Sequence, residues 1–256
     1  MARPLHIGLL GAMPEEIGTN LQHLQGLRSS RHGDLTIHKG TWTGSDGLEV
    51  RLSLSWSGWG KVSAARAATR LLASAADDDP IDLLLFTGVA GAANPKLKQW
   101  DVLLADAVVQ HDMDARPLCN RFTLPALDRD RLTPPPPWLN WATRALEHAK
   151  ETPQWTGFGP ARQGLIATGD RFIGDAAVLA DLRDALPGLQ AVEMEGAAMA
   201  QVAEQERVPW LVLRVISDGA DESAAQSFSD FVRIYDERAW QLIEALLLHA
   251  GQAPQR

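Results

Sequence analysis

LHIGLLGAMPEE, residues 5–16, opens the chain with an apolar run that stops at Gly11, followed by Pro14 and the acids Glu15 and Glu16. The run over 5–10 is too short for a buried helix and reads as a buried strand. Proline in the first turn of a helix and acids near its positive end are both favourable, so a helix is expected to begin at Pro14. A buried strand that feeds directly into a helix is the unit of an α/β sheet, and the rest of the chain decides whether the unit repeats.

It does repeat. Residues 35–43 and 48–56 read as two strands around the turn Gly44-Ser-Asp-Gly47, a hairpin. An alanine-rich helix from Lys61 carries Val62, Ala65, Ala68 and Leu72 at helical spacing and is stopped by residues 77–80. Further strands are expected over 82–87, 101–110, 165–168, 191–193 and 210–216, and helices over 138–148, 176–185, 195–206 and 229–249. Residues 112–137 read as irregular, because Pro134 to Pro137 argue against a regular helix. The alternation points to one α/β domain over residues 1–256, a three-layer α/β/α arrangement around a central mixed β-sheet, with 113–137 as an irregular loop insertion. No linker, repeat or low-complexity block marks a second domain.

The bulk composition narrows the partners. A net charge of -8 repels phosphates, and the 24 Lys and Arg form no basic tract, so nucleic acid is not expected as a partner. Cys119 is the one cysteine, which excludes an intrachain disulfide and a zinc-finger site. No apolar run reaches the roughly 18 residues needed to span a bilayer. The first residues lack the pattern of a secretory signal, so a cytoplasmic location is the expectation.

In open α/β sheets ligands bind at the carboxyl ends of strands. Five unusual clusters fall at such ends: Gly11-Ala-Met-Pro-Glu-Glu16, Ser57-Gly-Trp-Gly-Lys61, Thr87-Gly-Val-Ala-Gly-Ala92, Ala191-Val-Glu-Met-Glu-Gly196 and Arg214-Val-Ile-Ser-Asp218. Taken singly, each has a plain structural reading. Glu16 is equally a solvated helix acid, Thr87 to Gly91 a glycine turn, and Arg214 with Asp218 a structural ion pair. Glu193 and Glu195 on a strand would share one face and repel unless a donor or ligand separates them, unless the strand end is irregular. None of the clusters is a Walker loop, and Gly8, Gly11 and Gly18 have the wrong spacing for a dinucleotide fingerprint. His111-Asp-Met-Asp114 has no second histidine nearby, so no metal site is expected.

Taken together and in this order, the clusters resemble the 5'-methylthioadenosine/S-adenosylhomocysteine nucleosidases of the purine nucleoside phosphorylase superfamily. The resemblance covers almost the whole chain, through Ile7 to Met13, Ser57 to Val62, Thr87 to Gly91, Gly164 to Asp170, Phe172-Ile173, Val192 to Glu195, Arg214 to Asp218, Ser227-Phe228 and Phe231. It implies a nucleoside phosphorylase/hydrolase-like fold and cofactor-free hydrolysis of the N-glycosidic bond of an adenine nucleoside, usually by a homodimer. By the resemblance, Glu16 takes a proton from the attacking water and Asp218 gives one to N7 of the leaving base, steps worth roughly 10²–10⁴-fold each. Glu195 receives the ribose hydroxyls, and Met194 packs on the sugar. Phe172 stacks on adenine while the Ile173 backbone reads its edge. Met13 and Phe228 line the ribose and the 5' thioether. Ser217 helps to hold Asp218, and Arg214 helps to organise the water near Glu16. Ala90, Gly91 and Glu193 complete the implied substrate site.

The chain departs from the family's pattern in three places. Val89 stands where serine is usual, and Trp59 where a smaller aliphatic residue is usual close to the 5' substituent. The segment 113–137 is longer and proline-rich. In the phosphorylases an Arg and a Ser or Thr flank the glycines of this loop, and Phe86-Thr-Gly-Val-Ala-Gly91 has neither Arg nor Ser at those places, which argues for water as the nucleophile. A phosphorylase, a futalosine-type hydrolase with another 5' group and a non-catalytic nucleoside-binding protein are the rival readings. Trp100, Leu118, Phe122, Leu124 and Trp138 serve either a dimer interface or the chain's own core.

Overall fold

The computed structural model of the chain describes residues 3–17, 20–152 and 155–254. Strand β1 (Leu5–Gly11) leads into a one-turn helix α1 (Pro14–Ile17), and a meander follows of β2 (Gln25–His32), β3 (Leu35–Thr43) and β4 (Glu49–Trp56). Then come α2 (Lys61–Ala73), β5 (Leu83–Ala92), β6 (Val102–Gln110), α3 (Pro136–Lys150), β7 (Ala161–Thr168), α4 (Ala176–Ala185), β8 (Leu189–Glu193), α5 (Gly196–Gln205), β9 (Trp210–Asp218), α6 (Ala224–Tyr235) and α7 (Ala239–Leu247).

One mixed nine-stranded sheet runs in the order β2-β3-β4-β1-β5-β8-β7-β6-β9, and β9 also pairs with β5. Strands β5, β8, β7, β6 and β9 therefore close into a ring, while β1 and the meander extend from β5 as an open wing. Strand β5 belongs to both halves: it runs parallel to β1 and β9 and antiparallel to β8. Its sequence, LLLFTGVAGA, is buried at nine of ten positions, as expected of a strand covered on both faces. Helices α2 and α5 pack together over one face, where Ala64, Ala68, Leu71, Met199 and Ala203 join Phe86 and Leu103. Helices α3 and α7 cover the other face with Trp141, Leu146, Leu242 and Leu246. The Trp141 indole reaches across this layer and donates to the His249 carbonyl at 2.9 Å. Helix α4 closes a third cluster, with Leu179 and Leu182 against Leu165 and Ala167. No helix of the described residues is long and apolar enough to cross a membrane.

Five expectations need correction. The supposed hairpin is a three-stranded meander, because β2 was not anticipated. The segment over 229–249 is two helices, α6 and α7, interrupted at Asp236 to Arg238. Helix α3 starts at Pro136 rather than Trp138, since its prolines occupy the first positions, where a missing N–H leaves nothing unpaired. Thr87 to Gly91 is not a turn but the last part of β5, which runs on to Ala92. Arg214 does not pair with Asp218; its partner is Glu193. Of the apolar residues offered to an interface, Phe122, Leu124 and Trp138 are buried in this chain and Trp100 packs against Phe231, whereas Leu118 is 91% exposed.

Candidate active site

The ends of β1, β5, β8 and β9 surround a cavity of about 370 Å³. Met13, Glu16, Trp59, Val89, Ala90, Gly91, Phe172, Ile173, Glu193, Met194, Glu195, Ser217, Asp218 and Phe228 all line it. Arg214 does not; it is 1% exposed and lies behind the wall. Ala12, Arg171, Val192, Ala225 and Ser229 complete the lining and were missed. Arg171 stands directly before Phe172, so the motif that found one pointed at the other.

Glu16 reaches this cavity because Gly11 ends β1 and Pro14 starts α1 at once. Its carboxylate is held by backbone N–H groups only: Ala12 donates at 2.5 Å and Met13 at 3.1 Å to Oε2, and Val89 donates at 3.1 Å to Oε1. Gly88, at φ +152°, lets β5 pass this close, since a Cβ there would collide with the Glu16 carboxylate. Burial raises the Glu16 pKa, opposed by the charge of Arg214 and by the three N–H donors. A raised carboxylate is the stronger base once ionised.

Glu193 ends β8 and turns back on the helix that follows. Its Oε2 accepts the N–H of Glu195 at 3.1 Å and of Gly196 at 2.7 Å, at the positive end of α5. The same oxygen pairs with Arg214, and Oε1 accepts the Thr168 hydroxyl. The Arg214 guanidinium also lies 4.7 Å over the Phe86 ring and donates to the Phe86 carbonyl at 3.3 Å. Glu193 and Glu195 are thus not two strand neighbours on one face: the strand stops between them, and Glu195 accepts the Gly60 N–H at 2.9 Å.

Three buried carboxylates now share one guanidinium, and the pKa of Glu195 is pushed up to about 8, first by burial and then by the charges of Glu193 and Glu16. Between pH 4.5 and 8 the folded protein keeps a proton that the unfolded chain has released, so stability from this group is greatest at the acid end and falls as pH rises. Melting temperatures of Glu195→Gln should consequently fall less steeply over that window than those of the unsubstituted protein. An identical slope would show that Glu195 does not hold the proton.

Asp218 closes β9 beside a register shift against Ala90 and Gly91 of β5. Its Oδ2 accepts the Ser217 hydroxyl at 2.6 Å and its Oδ1 accepts the Ala220 N–H at 2.8 Å. Burial raises its pKa against these two donors, which favours the protonated form. Opposite these polar groups, Phe172 is 46% exposed and meets Phe228 edge-on at 6.1 Å, so neither ring is plain core. The acids of His111-Asp-Met-Asp114 are engaged elsewhere: Asp112 pairs with Lys61 and Asp114 with Arg116. The described residues hold no group of three or more His, Cys, Asp or Glu arranged to bind a metal ion.

This arrangement suits chemistry on a flat, part-apolar molecule that gains a proton at one end while a nucleophile is deprotonated at the other. Residues 6–248 match the Phosphorylase superfamily. The chain is 31% identical over 249 residues to the 5'-methylthioadenosine/S-adenosylhomocysteine nucleosidase of Chromohalobacter salexigens, covering 96% of this chain and 98% of that one. It superposes with TM-score 0.83 and 28% identity on the Neisseria meningitidis nucleosidase of that name in complex with methylthio-immucillin-A, over 95% of this chain and 98% of the other. The futalosine hydrolase of Helicobacter pylori strain 26695 superposes with TM-score 0.80 and 28% identity, over 94% and 97%.

Proposed function

Given that the chain belongs to the 5'-methylthioadenosine/S-adenosylhomocysteine nucleosidases of the phosphorylase superfamily and is an N-glycosyl hydrolase, we propose that it releases adenine from 5'-methylthioadenosine, S-adenosylhomocysteine or both, with Glu16 and Asp218 as its catalytic residues. One water attacks the anomeric carbon and gives a proton to Glu16. The bond from that carbon to N9 breaks, its electrons pass into the purine, and Asp218 supplies a proton at N7. The products are adenine and a 5-thio-substituted ribose. Glu195 receives the vicinal ribose hydroxyls, and once its proton is released its two oxygens can accept from both. Met194 packs on the sugar, Phe172 stacks on the base, Ile173 offers its backbone to the base edge, and Met13, Trp59 and Phe228 meet the 5' tail.

The observation that carries hydrolysis over phosphorolysis is the charge of the cavity. Glu16, Glu193 and Glu195 line it, and Arg214, the cation that offsets them, is already bound to Glu193. Arg171 is the one cation among the described lining residues, and it is exposed. A phosphate beside the sugar would face carboxylates, whereas water needs only one of them as a base.

The test is product release from 5'-methylthioadenosine, S-adenosylhomocysteine, futalosine, adenosine and inosine, with and without phosphate. Adenine should appear from the thioether nucleosides at the same rate in phosphate-free buffer. Release that depends on phosphate would overturn the assignment, and cleavage of futalosine alone would move the enzyme to that hydrolase. We propose a homodimer as the working form, with the exposed Leu118 on a surface it would cover; light scattering on the purified protein decides this.

A further inference from the structure

Behind Glu195 lies a second set of polar contacts that takes no part in the steps above. Lys61, the first residue of α2, extends its ammonium to Asp112 Oδ1 at 2.6 Å, just past the end of β6. The other oxygen of Asp112 accepts the backbone N–H of Asp170 at 2.9 Å, just past the end of β7. Asp170 in turn accepts the backbone N–H of Lys61 at 2.7 Å. Three residues, one at the start of α2 and two just past the ends of β6 and β7, thus form a closed ring. The Lys61 ammonium makes one more contact, to Gln110 Oε1 at 3.3 Å, and Gln110 donates to Gln201 on α5 at 2.8 Å.

The residue before Lys61 is Gly60, whose N–H donates to Glu195 Oε1. Gly60 stands at φ +90°, and a Cβ there would meet Asp170 Oδ1 at 2.9 Å, so the turn is packed directly against the ring. Glu195 has no cation of its own: Arg214 is bound to Glu193. The Gly60 N–H is the one hydrogen bond its side chain makes among the described residues. If the turn shifts, the Glu195 side chain loses the one backbone donor that fixes its plane.

We propose that Lys61, Asp112 and Asp170 are positioning residues, whose ring holds the Gly60 N–H against Glu195 and so orients the carboxylate toward the ribose hydroxyls. Only the Glu195 end of the substrate depends on the ring. At the base end Asp218 bonds to Ser217 and Ala220, while Phe172 follows Asp170 by two residues, so adenine affinity reads whether a ring variant disturbs that end as well. The inference rests on the reading of Glu195 as the acceptor for those hydroxyls.

The experiment compares the unsubstituted enzyme, Lys61→Met, Asp112→Asn and Lys61→Arg on 5'-methylthioadenosine and its 3'-deoxy counterpart, with adenine affinity measured alongside. Because small misplacement of a binding group is amplified in rate, Lys61→Met should lose roughly 10- to 100-fold in kcat/KM on the intact nucleoside. The same variant should lose clearly less on the 3'-deoxy nucleoside, which offers Glu195 one hydroxyl fewer, and should bind adenine unchanged. Lys61→Arg, which keeps the cation, should recover most of the loss. If Lys61→Met does not fold, Asp112→Asn makes the same comparison.

Equal losses on both nucleosides, weakened adenine binding, or no loss at all would each overturn the positioning role while leaving the proposed activity intact. An unsubstituted enzyme that cleaves the 3'-deoxy nucleoside as well as the intact one would instead overturn the role of Glu195, and the inference with it.

Discussion

Glu16→Gln is expected to lower kcat by roughly 10²–10⁴-fold, the usual worth of a positioned general base. The substitution is close to isosteric but not neutral for the carboxylate's setting. Both oxygens of Glu16 accept backbone N–H groups, Oε2 from Ala12 and Met13 and Oε1 from Val89. An amide has one acceptor end, so its NH₂ must face a donor, and the side chain should turn or shift. Adenine affinity should survive, because the residues proposed to hold the base, Phe172, Ile173 and Asp218, are left in place. In the unsubstituted enzyme, activity should fall on the acid side as Glu16 takes up a proton, at a pH above the ordinary carboxylate range because burial raises this group. That limb should vanish from the residual activity of the variant. Steady-state rates across pH with a parallel adenine titration check both points, and an undiminished kcat would remove Glu16 as the base.

Asp218→Asn should reduce kcat by a similar roughly 10²–10⁴-fold, through the other half of the reaction. An asparagine can still donate a hydrogen bond to N7, so binding should persist, but it cannot hand over a proton. Burial raises Asp218 and favours its acid form, so an alkaline limb is expected in the profile of the unsubstituted enzyme, which the variant should lose. The two substitutions separate on a nucleoside with a better leaving base. Such a substrate needs less protonation, so it should recover much of its rate in Asp218→Asn and little in Glu16→Gln. Equal recovery in both would show that the two residues do not divide the reaction as proposed.

How much of this was legible in the sequence depends on whether the deciding contact is local. The run over 5–16 shows its strand and its helix start through apolar content, glycine and proline, all effective within a few residues. The carboxyl-end clusters stood out by their place at expected strand ends, but each had a plain structural reading on its own, and their roles came from the resemblance of the whole set to a family. Strand β2 was invisible: QGLRSSRH is exposed along almost its whole length, so no alternation betrays it. The break between α6 and α7 falls on Asp236-Glu-Arg238, with neither Gly nor Pro to mark it. The pairing of Arg214 with Glu193 across 21 residues, and the ring of Lys61, Asp112 and Asp170 across more than a hundred, depend on how strand ends meet. No local pattern encodes that meeting.

Strand β9 pairs on both of its sides, so among the described residues β2 is the one strand of the sheet with an open edge. An open edge is a template on which another chain can add a strand. Here that edge carries Arg28 and Arg31, and its pairing with β3 slips between Gln25 and Arg28. Positive charges repel a second copy of the same edge, and the irregularity breaks the straight ladder such a copy would need. Replacing both arginines with threonine would leave the cavity untouched and give the protein a strand suited to self-association, so the character of β2 bears on solubility rather than on chemistry.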